Sequence, residues 1–171
     1  KLPNLLRAMR RGTRAKAMVP VFPSLTFPNH YSLVTGLHPG NHGIVSNRFY
    51  DPARKESYSI GSESATVGDA TWYRGEPIWV TAEKQGMVSA CFFWPGSEAA
   101  IGGVRPTIWN RYDGAIENDA RVTTVLEWLA LPPERRPHVE QGLAHYAAQG
   151  VLRLVTREQD VALYEIARYP D

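Results

Sequence analysis

Val19-Pro20-Val21-Phe22-Pro23-Ser24-Leu25-Thr26-Phe27-Pro28-Asn29-His30-Tyr31 sets a single reactive hydroxyl, Thr26, between an apolar run and a segment of helical character. Residues 17–22 read as a buried strand, and residues 29–34 as a short helix ended by Gly36. Pro28 fits only the first turn of such a helix, where a missing N–H costs nothing. A hydroxyl at a strand-to-helix junction points out of the sheet, beside helix-terminal N–H groups that favour anions. Further along, Asn47 supplies an uncharged donor. Spacing alone leaves a second reading open for each: Thr26 as a helix N-cap, Asn47 as a turn asparagine.

Working outward, residues 2–11 read as a helix, with Leu2, Leu5, Leu6 and Met9 at helical spacing. Residues 49–75 are rich in Ser, Gly and Asp and read as surface loop with brief strands. Pro77 opens a helix that Gly86 closes, and residues 87–93 follow as a second strand. Strand, helix, strand in this order predicts a parallel sheet with crossover helices. Residues 96–118 read as a loop-built pocket wall. A helix over 121–129 follows, with Val122, Val125, Leu126 and Leu129 on one stripe. The tail suits a helix over 138–149 and a hairpin over 151–166, or else a rearranged end.

A chain of 171 residues fills one domain with a real core and is too short for two ordinary ones. Its net charge of +2 gives no reason to invoke nucleic-acid wrapping, and no stretch is apolar enough for a membrane span. Arg7, Arg10, Arg11, Arg14 and Lys16 read as a solvated helix end. Cys91 lacks an internal partner and lies in an apolar run, so it reads as a buried, inert thiol.

Several motifs point the same way. Residues 19–52, from the Thr26-Phe27-Pro28-Asn29-His30-Tyr31 run through His42-Gly43-Ile44 to Asn47 and Tyr50-Asp51, resemble the nucleotide pyrophosphatase/phosphodiesterase family of the alkaline phosphatase superfamily. Trp72-Tyr73-Arg74-Gly75-Glu76-Pro77-Ile78-Trp79 and Phe92-Phe93-Trp94-Pro95-Gly96-Ser97-Glu98 resemble two further segments of that family, in its order. Residues 121–133 resemble the helix and exit that follow. The likeness runs over residues 1–138, the amino-terminal part of a catalytic domain, and leaves 139–171 unassigned. It implies an α/β fold, part of an alkaline-phosphatase-like sandwich with a mostly parallel sheet and helices on both faces.

By that resemblance, Thr26 is the nucleophile, activated by one of two zinc ions, and Asn47 donates to a non-bridging phosphate oxygen. Phe27 and Tyr112 sandwich a nucleobase, with Trp94, Pro95 and Glu98 lining the same pocket. The implied reaction is zinc-dependent hydrolysis of nucleotide phosphodiester or pyrophosphate bonds through a phospho-threonine, on a nucleotide or dinucleotide, outside the cytoplasm. A phospholipid or choline-ester phosphodiesterase is the sibling reading, because aromatics also stack on quaternary ammonium groups. The chain has no Gly-x-x-x-x-Gly-Lys-[Ser/Thr] loop, so no P-loop cradles the phosphates.

The departures from the family matter too. Of its zinc-holding residues, the resemblance places only Thr26 in this chain. The expectation is therefore an interior fragment that binds zinc weakly and is inactive alone. Asn29 is expected to bond backbone within the first helical turn, Trp72 and Trp79 to pack, and all five histidines to be structural, His42 in a turn.

Overall fold

A computed structural model describes residues 3–12, 15–61, 65–137, 152–158 and 161–166. The chain divides into two compact units, Pro20–Pro137 and the pair Lys1–Val19 with His138–Asp171. The second unit holds helix α1 (Pro3–Arg11) and an antiparallel hairpin of β5 (Leu152–Glu158) and β6 (Val161–Ile166). The hairpin agrees with one of the two readings of the tail, and the expected helix over 138–149 lies outside the described residues. Arg10 and Arg11 occupy the last turn of α1, where cations favour the helix dipole, and both are exposed.

In the unit Pro20–Pro137 the order is α2 (Thr26–Thr35), α3 (Pro39–His42), β1 (Arg48–Asp51), β2 (Glu56–Ser59), two 3₁₀ turns (Ala65–Gly68 and Ala70–Trp72), α4 (Ile78–Lys84), β3 (Ala90–Phe92), β4 (Ile108–Asn110) and α5 (Asn118–Leu129). Gly36 ends α2 in the left-handed conformation, its N–H bonded to Ser32 O. Pro77 caps α4 as expected, and Gly86 follows it with φ 77°. No described helix is long and apolar enough to cross a membrane.

The chain is α/β, but its described strands form three two-stranded sheets, and only β3–β4 is parallel. Residues 17–22 correct the sequence reading: they are not a strand. A strand needs a ladder partner, and Pro20 and Pro23 lack the N–H such a ladder uses. Val19 is 88% exposed and Phe22 92% exposed, so the run is not buried. The second expected strand is shorter than 87–93, and the loop 49–75 contains the β1–β2 hairpin.

The core joins Tyr31, Ile44, Tyr58, Trp72, Tyr73, Trp79, Val80, Ala99 and Ile101. Phe49 and Tyr58 are cross-strand partners on one face of the hairpin and stack at 5.2 Å. Trp72 meets both rings edge-on at 5.5 Å, and the Arg54 guanidinium lies 4.0 Å over the Trp72 ring. Such aromatic pairs contribute about 0.5–1.5 kcal/mol each beyond buried area. Trp72 and Trp79 therefore do pack, as the sequence suggests.

Candidate active site

Thr26 is the first residue of α2 and is exposed, with Leu25 as the N-cap. Its hydroxyl is thus free of the capping role that spacing allowed. The first-turn amides are mostly engaged: Phe27 N–H donates to Asn47 Oδ1 at 3.0 Å, Pro28 has none, and Asn29 N–H bonds Leu25 O at 3.1 Å. Among the described residues, only Thr26 N–H is left at that helix end for an anion, fewer than the sequence reading expects.

Asn47 arrives from just before β1, and Ile60 N–H anchors its carbonyl at 3.1 Å. With Oδ1 accepting from Phe27, the side chain's remaining polar atom is the Nδ2 donor. Asn29 bonds backbone as expected, but outside the first helical turn. Its Oδ1 accepts from Val21 N–H at 3.2 Å, eight residues upstream, and ties the extended segment to α2.

Beside Thr26 opens a cavity of about 490 Å³, lined by Thr26, Phe27, His30, Ile60, Gly61, Val67, Phe93, Trp94, Pro95, Gly96, Glu98, Arg111 and Tyr112. All five expected pocket residues (Phe27, Trp94, Pro95, Glu98 and Tyr112) are among them. The Trp94–Ser97 turn closes on itself through Ser97 N–H and Oγ–H, both donating to Trp94 O. Gly96 sits in it at φ 90°, and a Cβ there would lie 3.2 Å from the Tyr31 ring. Glu98 reaches across the cavity wall: its Oε1 accepts from Tyr112 N–H at 3.0 Å, and Arg111 Nε lies 3.8 Å from Oε2.

Sequence reasoning missed His30 and Phe93 as lining residues. His30 stands four residues after Thr26, on the same helix face, so spacing did carry a signal. Its Nδ1–H donates to Thr26 O at 2.7 Å, and its own carbonyl accepts from Trp94 Nε1 at 3.2 Å. The ring also meets Trp94 edge-on at 5.3 Å. His30 therefore bridges the threonine's turn and the aromatic wall. Ile60 and Val67 come from the hairpin region and carried no local signal.

Behind the site, His42 is fully buried. Ile44 N–H donates to Nδ1 at 3.2 Å, so Nε2 carries the proton, toward Ser32 Oγ at 2.9 Å and Pro28 O at 3.3 Å. Burial lowers its pKa from the ordinary histidine value, so the neutral ring braces α2. Cys91, half-buried in β3, is pushed up to about 12, first by burial and then by the Glu83 charge. A thiol so raised is a poor nucleophile.

Asp51 and Asp69 have structural partners. Asp51 Oδ1 accepts from Ala53 and Arg54 N–H, while Asp69 caps the second 3₁₀ turn and pairs with Arg54. Among the described residues, no three His, Cys, Asp or Glu side chains converge to hold a metal ion.

A profile of type I phosphodiesterases/nucleotide pyrophosphatases matches residues 1–160. Ectonucleotide pyrophosphatase/phosphodiesterase family member 1 of Homo sapiens is 48% identical over 137 residues, 80% of this chain and 15% of that protein. Venom phosphodiesterase CdcPDE of Crotalus durissus collilineatus is 46% identical over 136 residues, 80% of this chain and 16% of the enzyme. The structure of murine ectonucleotide pyrophosphatase/phosphodiesterase 5 superposes with a TM-score of 0.72 at 32% identity, covering 79% of this chain and 35% of that one. Its inactive threonine-to-alanine variant in complex with AMP gives the same values. The chain spans about 15% of the length of the curated relatives it matches.

Proposed function

The chain belongs to the type I phosphodiesterase/nucleotide pyrophosphatase family, and on that premise we propose that it carries the nucleophile and the base pocket of an enzyme hydrolysing nucleotide phosphodiester or pyrophosphate bonds. One observation carries the reading. Thr26 opens a helix whose next amide is held by Asn47, at the edge of a cavity walled by Phe27, Trp94, Pro95, Glu98 and Tyr112. The relatives' names and the AMP-bound, threonine-substituted neighbour support it.

In the proposed reaction Thr26 Oγ1 attacks phosphorus, the bond to the leaving oxygen breaks, and that oxygen takes up the hydroxyl proton. The product is a phospho-threonine ester, which water cleaves to free the hydroxyl and release the nucleoside monophosphate. Asn47 Nδ2 donates to the non-bridging oxygen on which charge grows. Phe27 and Tyr112 hold the base between them. Each stacked ring contributes about 1–3 kcal/mol with little regard to which base is bound.

Zinc is the cofactor proposed for the whole protein, where it would lower the pKa of the attacking hydroxyl. The described residues do not fit a zinc site by themselves. Thr26 offers one hydroxyl, and no trio of carboxylate, imidazole or thiolate groups stands ready to complete a site. The likeness to the solved neighbour supports the sandwich architecture, and relatives that include ectoenzymes and venom enzymes support an extracytoplasmic location.

The test is Thr26→Ala in the whole, zinc-loaded protein, assayed with p-nitrophenyl thymidine 5′-monophosphate and by AMP calorimetry. Turnover should vanish while AMP affinity survives. Near-normal rates in the variant would overturn the covalent mechanism. Faster turnover of a p-nitrophenyl phosphocholine ester than of the nucleotide ester would favour the lipid-type sibling.

A further inference from the structure

We infer that Phe93 is the positioning residue for the Tyr112 ring, turned toward it by a left-handed backbone at the exit of β3. The inference rests on the reading of Tyr112 as one face of the base sandwich. Phe93 has φ 62°, a conformation that bulky side chains rarely adopt and that marks functional sites when it persists. Lys55 is the other non-glycine residue with positive φ among the described residues, and it lies in the β1–β2 turn. Phe93 is different, because it directly follows a strand.

Strand geometry sends successive side chains to opposite faces. Here the left-handed residue breaks that alternation, and the Phe92 and Phe93 rings lie 4.4 Å apart. Phe93 then meets Tyr112 edge-on at 5.4 Å and 65°. Arg121, fixed by Nε–H donating to Ile116 O at 2.8 Å, places its guanidinium 5.3 Å over the Phe93 ring. Tyr112 is 60% exposed, and Phe93 is its one aromatic neighbour among the described residues. Glu98 holds the Tyr112 main chain, the ring lies beside Gly114, and Phe93 is the aromatic side chain that meets it. A ring held in its stacking orientation loses less freedom when a base arrives.

The measurement is the preference for AMP over ribose 5-phosphate, which carries the same phosphate and sugar without the base, by calorimetry on the protein and its variants. Phe93→Gly tolerates φ 62° without strain and removes the ring. The preference should fall about fivefold to tenfold, and Phe93→Gly combined with Tyr112→Ala should lose no more than Tyr112→Ala alone. Phe93→Leu, which keeps apolar bulk, should lower the preference in the same direction and serves if the glycine variant does not fold. An unchanged preference in these variants, or an equal loss for both ligands, would overturn the inference. If Tyr112→Ala itself leaves the preference intact, the stacking reading fails and takes this inference with it.

Discussion

The Asn47 side chain carries an acceptor and a donor, and the two can be separated by substitution. Its Oδ1 is committed to Phe27 N–H, and Nδ2 is the atom proposed to donate to substrate. In the whole protein Asn47→Ala should lower kcat by about 10²–10³ and also weaken the start of α2. Asn47→Asp keeps the acceptor, loses the donor and adds a charge facing phosphate. Its kcat should fall at least as far with the melting temperature held near wild type, and parallel kinetics and thermal melts check both. The sequence pointed to Asn47 only through family likeness, because its contact partner is twenty residues away. His42 is the second case at this scale. Its pKa is depressed by burial, so its stabilising share is full above the ordinary value near 6.5 and is lost as pH falls through the lowered one. Melting temperature should drop between pH 7.5 and 5.5, with a shallower slope in His42→Gln.

Glu83 is what joins a helix to a sheet. Standing near the end of α4, its Oε1 accepts from Ser89 N–H and Oγ–H and from Thr107 N–H, each at 2.7–2.8 Å, and its Oε2 from Thr107 Oγ1 at 2.8 Å. Ser89 and Thr107 immediately precede β3 and β4, so one carboxylate pins the ends of the parallel pair in register. Partial burial pushes the Glu83 carboxyl up, but these donors outweigh it and hold it below the ordinary carboxylate range. Its contribution is present above the unfolded-state pKa and disappears as pH falls through the folded one. Glu83→Ala should destabilise by about 2–4 kcal/mol, given roughly 1.5–3 kcal/mol for a hydrogen bond to a charged group and incomplete additivity. Urea titration at pH 7 measures it, and a loss below about 0.5 kcal/mol would contradict the staple. Nothing in the spacing of Glu83, Ser89 and Thr107 disclosed this. The bounds of α4, by contrast, were legible because Pro77 and Gly86 act on their own backbone.

Apolar surface shapes the behaviour of the whole molecule. Phe22 is 92% exposed, Val122 59% and Leu126 60%, the last two on a single face of α5. Apolar patches of this kind drive association. The chain should self-associate at micromolar concentration, and Phe22→Ser with Leu126→Gln should reduce it, as sedimentation velocity would record. A monodisperse monomer of the unsubstituted chain would count against this. The sequence by itself determined the features that depend on near neighbours: the glycine end of α2, the bounds of α4 and the Trp94–Ser97 turn; it placed the start of α2 three residues late, at 29 rather than Thr26. Tertiary structure alone decided which apolar runs became strands, because a ladder needs a partner that no local pattern supplies, and residues 17–22 have none among the described residues. It also decided that Asn29 serves Val21, that His30 bridges Thr26 to Trp94, and that Phe93 turns out of line to meet Tyr112. Those contacts join atoms distant in the chain or depend on a backbone twist, and composition and periodicity encode neither.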